Sequence, residues 1–321
     1  MINKLVTVVK NTFTETIRQP VYCVIIVAAL FLFVLSPAIT MYTIEDDNKL
    51  LREIGLSTLF LTGLFIAIFS ASGAVNEEIE NKTITTVLSK PISRPVFVIG
   101  KFLGVSLAVI LAHYICTIAI LFVTRHGVME SAAQTHDWTV LTVAGVAIIG
   151  TIALTALFNF SYGWRASSTG ILLLAIFSTL GVGILAFVDR HWQFNPARNG
   201  FNSLDIYGSV LLLFAVMIIV ALAVALSTRF NIVVTLSCCI GIFLLGLVSD
   251  YVFGRFAETY LWAKIGRFLV PNLQMFWVSD AIYEGSSIPV KYIGMASTYA
   301  ISYTTAVLMR AIASFQRRQV G

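Results

Sequence analysis

The chain has 321 residues, of which 58% are hydrophobic and only 12% charged, and its formal net charge is +5. A soluble domain of this length carries roughly 25% charged residues, so a surface this apolar is built for lipid. The small positive excess is spread along the chain and gives no basic patch of the nucleic-acid-binding kind.

Residues 1–20 precede the first apolar block. Leu5, Val9, Phe13 and Ile17 recur every four residues, while Lys4, Lys10, Asn11 and Arg18 take other faces. This pattern predicts a helix lying in the headgroup plane and feeding the first span at Pro20. The positive region is too long, and no clean small-residue cleavage site follows, for a secretory signal. Eight apolar spans are then predicted at about 21–42, 55–74, 98–124, 139–161, 168–188, 206–227, 232–249 and 293–312. No charge interrupts Val21–Met41 or Val140–Trp164, each long enough to cross the ~30 Å hydrocarbon core as a helix. Lipid offers the backbone no hydrogen bonds, so the fold class is an all-α polytopic membrane protein, a single domain over 1–321.

Charge bias sets the expected orientation. With the N-terminus in the cytoplasm, twelve Lys and Arg fall inside and nine outside, four of those nine in the long 250–292 connector, where the rule is weaker. Both termini are therefore expected inside. The 250–292 connector is rich in aromatics, including Tyr251, Phe256, Trp262, Phe268 and Trp277, and is expected to form one or two short helices dipping into the outer interface, broken near Pro271-Asn272. Arg255, Glu258, Lys264 and Arg267 argue against a further crossing there.

The most informative stretch lies between the second and third spans, at residues 75–95. Asn76 can cap a short helix there, and Glu77, Glu78 and Glu80 occupy its first turn, where the dipole favours anions. Ile79, Thr83 and Val87 form one stripe flanked by Ile84 and Leu88. Lys90 closes the helix, Pro91 stops it, and Pro91 and Pro95 stiffen the path into the next span. Such a segment is a lever between two membrane helices, and its alternative is a solvated loop that only holds topology.

This run resembles the coupling-helix signature of ABC-2 type permeases, the membrane subunits of ATP-binding-cassette transporters. Glu78, Glu80, Thr83, Ile84, Val87, Leu88, Pro91, Ser93 and Arg94 match in order and Gly100-Lys101 follows, whereas Lys82 stands where glycine is common. The N-terminal helix, the Ala225–Asn231 elbow, the long outer loop and the basic tail from Arg310 to Arg318 are similar as well. Six spans are usual in the family, so the eight read here imply six plus an added 139–188 hairpin. The resemblance implies a permease subunit, an exporter in a bacterial inner or plasma membrane, that pairs with a second copy or a paralogue. It implies further that a separate ABC ATPase subunit binds ATP and Mg and contacts Glu77, Glu78, Glu80, Lys82, Thr83, Ile84, Val87, Leu88, Lys90, Pro91 and Arg94.

The chain itself shows no GxxxxGK[ST] phosphate loop, HExxH or GxSxG pattern, so no enzymatic site or bound cofactor is expected in it. Cys23, Cys116, Cys238 and Cys239 lie in apolar segments without a CxxC, which points to small buried hydrophobes. His126, His136 and His191 are scattered over outer loops without metal-ligand spacing. His113 lies deep in a span and reads as a neutral imidazole bonded to a facing helix, or as a functional group. An ion-coupled secondary carrier would need mid-membrane charges or broken helices in both halves. A non-transporting, force-transmitting subunit of a larger assembly would keep the same lever. No segment carries a signature of the transported substrate.

Overall fold

The computed structural model describes residues 2–40, 47–76, 93–129, 135–284 and 286–316. Among these the chain forms α1 (Ile2–Arg18), α2 (Pro20–Thr40), α3 (Asp47–Ala71), α4 (Arg94–His126), α5 (Trp138–Tyr162), α6 (Ala166–Phe187), α7 (Ser203–Ser227) and α8 (Ile232–Leu247). The short helices α9 (Ser249–Val252), α10 (Leu261–Leu269) and α11 (Ser279–Tyr283) follow, and α12 (Val290–Gln316) closes the bundle.

Six of these helices, α2 to α7, are long and apolar enough to cross a membrane. The predicted seventh span is α8, whose 16 residues rise only about 24 Å before the chain bends by 67° into 249–256. That falls short of the ~30 Å core, so α8 and the bend make either a broken span or a re-entrant loop rather than one straight crossing. The predicted eighth lies within α12, which has 27 residues but interrupts its apolar face with Ser297, Thr298, Ser302, Thr304 and Thr305, and is not one of the six. The second span starts earlier than its hydropathy suggests. α3 begins at Asp47 because Lys49 and Arg52 are neutralised, by Asp280 at 3.3 Å and Asp205 at 3.1 Å.

α3 and α7 form the centre. Of α3's apolar window 72% is buried, against 17% for α5, which turns most of its surface outward to lipid. Gly63 allows the central contact: a Cβ there would lie 2.7 Å from a methyl of Val216. α2, α4 and α12 pack around this pair, α1 lies along α4, and α5 and α6 form a peripheral hairpin. His113 joins α4 to α7. Its Nε2 stands 2.9 Å from the Ser209 carbonyl and 3.1 Å from Ser209 Oγ, as expected of an imidazole bonded to a facing helix. Among its described residues the 250–292 connector holds the three short α-helices α9, α10 and α11 rather than one or two, and its break falls at Pro271-Asn272, between α10 and the turn at Gln274–Phe276. α10 turns Leu261, Trp262, Ile265, Phe268 and Leu269 outward and buries only Ala263.

Candidate coupling site

The bundle has two ends. The basal end carries α1, Asn76, Ser93, the α5–α6 turn, the elbow after α7 and the end of α12. The distal end carries residues 126–129, 135–138, 188–202 and the described part of the 250–290 connector. Ten of the predicted coupling residues, Glu77, Glu78, Glu80, Lys82, Thr83, Ile84, Val87, Leu88, Lys90 and Pro91, lie outside the described residues. Both flanks of their segment are described, and both are anchored.

On the entry side α3 widens into one π-helical turn, Ser72–Asn76, a distortion that recurs at functional sites. Ser227 Oγ donates to the Ala223 carbonyl at 2.7 Å, leaving its oxygen to accept from Ser72 Oγ at 3.5 Å. A Cβ on Gly73 would lie 2.7 Å from Gln19 Nε2, so the turn rests against the joint between α1 and α2.

On the exit side Ser93 is the N-cap of α4 and Pro95 occupies its first turn, where a missing N–H costs nothing. Arg94, the one predicted site residue with a described position, donates from Nη1 to the carbonyls of Phe315 at 3.1 Å and Gln316 at 2.5 Å. Its guanidinium also covers the Phe315 ring at 5.8 Å, and Phe97 stacks on the same ring. Arg229, in the predicted elbow, donates to the Ser314 carbonyl at 2.7 Å. The last carbonyls of a helix have no partner within it and form the negative end of its dipole. Two cations thus hold the last described turn of α12, one from the exit of the candidate segment and one from the elbow.

α1 completes the basal layer. The predicted stripe faces inward, with Ile17 buried and Leu5, Val9 and Phe13 half-buried, and Thr12 and Thr16 join it. Gly104 permits the docking, since a Cβ there would lie 2.6 Å from Thr12 Cβ and 2.9 Å from the Val9 carbonyl oxygen. Lys101 is buried among these elements, 3.9 Å from Glu15 of α1 and over the Phe97 ring.

The distal end is fastened more tightly, through residues that sequence reasoning passed over. The Arg125 side chain is 1% exposed and that of Asp137 is fully buried. Arg125 donates to the Leu185 carbonyl at 2.6 Å, the Val188 carbonyl at 2.9 Å and Thr139 Oγ at 3.0 Å, and pairs with Asp137 at 3.4 Å. Asp137 caps α5 by accepting from the Thr139 and Val140 N–H groups, and Arg190 reaches it from the α6 side at 3.5 Å. Burial pushes the Asp137 carboxyl up, but the Thr139 hydroxyl, the Val140 N–H and the two guanidiniums outweigh it and hold the carboxyl below its ordinary value. Arg52–Asp205 ties α3 to α7 at the same end. In the sequence the only signal was an Arg near the end of one span and an Asp before the next.

The structure also brings His126 and His136 together, at 3.3 Å between ring nitrogens, across a loop where spacing alone showed no relation. Among the described residues no group of three His, Cys, Asp or Glu could hold a metal ion. The four cysteines are free thiols, buried or half-buried in helices.

An all-α bundle in which six helices among the described residues are long and apolar enough to cross a membrane defines a polytopic membrane protein. The family model described as ABC-2 family transporter protein matches residues 6–188, more than half of the chain, and the chain belongs to that family. The match runs from α1 through the α5–α6 hairpin, so the hairpin lies within the family pattern. No curated protein matches the chain. Membership makes the protein a permease of an ABC transporter, integral to the membrane, not itself catalytic and partnered with an ABC ATPase subunit.

Proposed function

We propose that the chain is an export permease driven through residues 77–92, with both termini cytoplasmic and a second permease copy or paralogue completing the pathway. The observation that carries this reading is the anchoring of both flanks of that segment. A rigid-body displacement of it must act on α3 through the Ser72–Asn76 turn, and on α4 through Ser93-Arg94. From α4 it passes to α1 across Gly104 and to α12 through Arg94. The distal clamps hold α4, α5 and α6 together, and α3 with α7, so a push at the base tilts helices about a fixed far end.

In this reading the partner ATPase holds ATP and Mg, and closure of its nucleotide sites moves the acidic first turn of the segment. Glu77, Glu78 and Glu80 present the charge that the ATPase groove meets, and Ile79, Thr83 and Val87, flanked by Ile84 and Leu88, present the apolar stripe. Reversing Glu78 and Glu80 to Lys together tests it. The expected result is loss of ATPase co-purification, or of permease-dependent ATP turnover, with membrane insertion intact. Unchanged association and turnover in the double variant would overturn the proposal.

A further inference from the structure

Between α2, α4, α5 and α6, in the distal half of the bundle, lies a cavity of about 420 Å³. Voids left by imperfect packing are rarely much larger than a water molecule, whereas ligand pockets span roughly 300–1,000 Å³. Its lining is hydrocarbon, apart from Ser178 on α6 and the His126–His136 pair at the distal end. It is open sideways: Val34 of α2 and Leu141 and Ile148 of α5 line it and are exposed, so the mouth faces the lipid between those helices.

We propose that this cavity is a binding site for one acyl chain of a membrane phospholipid, its head group resting against His126 and His136. Length supports the assignment. Along α4 the lining runs from Ile115 to His126, a rise of about 16 Å, close to half of the ~30 Å hydrocarbon core and so to the depth of one leaflet. The polar groups lie at the level where a head group must be. The exposed Trp138 packs edge-on against His136 there, and Trp is the residue that marks the boundary between lipid tails and water. His126 is oriented by its Nδ1, which donates to the Gly127 carbonyl at 2.9 Å, and this turns Nε2 toward His136. A chain seated here would wedge the α5–α6 hairpin from α2, next to the Arg125–Asp137 clamp, and would fill space that the protein leaves unpacked.

The site stands independently of the coupling proposal, and its test needs no ATPase. The full chain is placed in nanodiscs of a phospholipid carrying a photoactivatable diazirine in its acyl chain, and adducts are mapped by mass spectrometry. Adducts are expected to be several-fold richer at Ala119, Val140 and Ala144 than at Val146, Ile149 and Ile152, which α5 exposes on its other side. Ala119→Trp or Ala144→Trp should fill the cavity and remove the excess, with the thermal unfolding midpoint showing that each variant folds. Even labelling of both faces of α5, or an excess that survives filling in a folded variant, would overturn the site. In the assembled transporter, an excess that disappears on ATP turnover would assign the cavity to moving cargo and overturn the resident-lipid reading.

Discussion

Replacing Asp137 by Ala probes the distal clamp most directly. The change leaves the Arg125 guanidinium, 1% exposed, without its counter-charge, and removes the acceptor for the Thr139 and Val140 N–H groups. Removing one partner of a buried ion pair typically costs about 3–5 kcal/mol, and loss of an N-cap acceptor alone about 1 kcal/mol. The two losses share one carboxylate and do not add, so the expected destabilisation is about 3–5 kcal/mol in total. Asp137→Asn separates them, because the amide oxygen keeps the cap while the charge is gone. The assay is reversible unfolding of the purified protein in mixed micelles, followed by helical circular dichroism. The Ala variant should lose the most, with Asn clearly between it and the wild type. The same carboxyl fixes a pH dependence. Its folded value is depressed, so its contribution is complete above the ordinary carboxylate range and is lost as pH falls below about 4. If the Ala variant is within about 0.5 kcal/mol of wild type, or the Ala and Asn variants are equal, the clamp is not what holds the distal end.

Three further outcomes follow from the basal end and the core. Arg94→Ala removes charge-assisted bonds to the last described turn of α12, each worth about 1.5–3 kcal/mol when shielded and less at this half-buried position; it should lower permease-dependent ATP turnover, and unchanged turnover would refute the transmission path. Gly104→Val places side-chain carbon against the Val9 carbonyl and Thr12 and should free α1 from α4, read as faster proteolysis within residues 2–18; an unchanged cleavage pattern would show that the close approach is not required. His113→Leu removes a bonded imidazole between α4 and α7, and because a hydrogen bond within the bilayer is worth only about 1 kcal/mol net, stability should change little; complete loss of coupled ATP turnover in a stable variant would instead assign His113 a direct role.

Much of the architecture was legible in residue order because a bilayer imposes a one-dimensional rule. Val21–Met41 and Val140–Trp164 have nowhere to go but across lipid, and α2 and α5 form there. The four-residue stripe of residues 5–17 likewise became α1 with that face inward. Where the reading departed, tertiary partners had changed the apparent hydropathy. Asp47–Arg52 looks like a polar connector until Asp205 and Asp280 neutralise it, and 232–249 looks like a full span until the bend after Leu247 shortens it. The acidic segment at 77–92 was identified from its order of residue types alone. What its ends hold was not, because Arg94 and Phe315 are more than two hundred positions apart.

The sequence by itself determined that this is a helical membrane protein, and it pointed to a family to which the chain belongs. Both follow from local chemistry: apolar length for the spans, and charge, Thr, aliphatic and Pro order for the resemblance at residues 75–95. Only the tertiary structure decided what is joined to what. Arg125 with Asp137, His126 with His136, Arg94 with the end of α12 and the open cavity beside α2 depend on how helices lie side by side. Lipid-facing helices read alike along the chain, and the partners of a buried polar group are fixed by packing rather than by its neighbours in sequence.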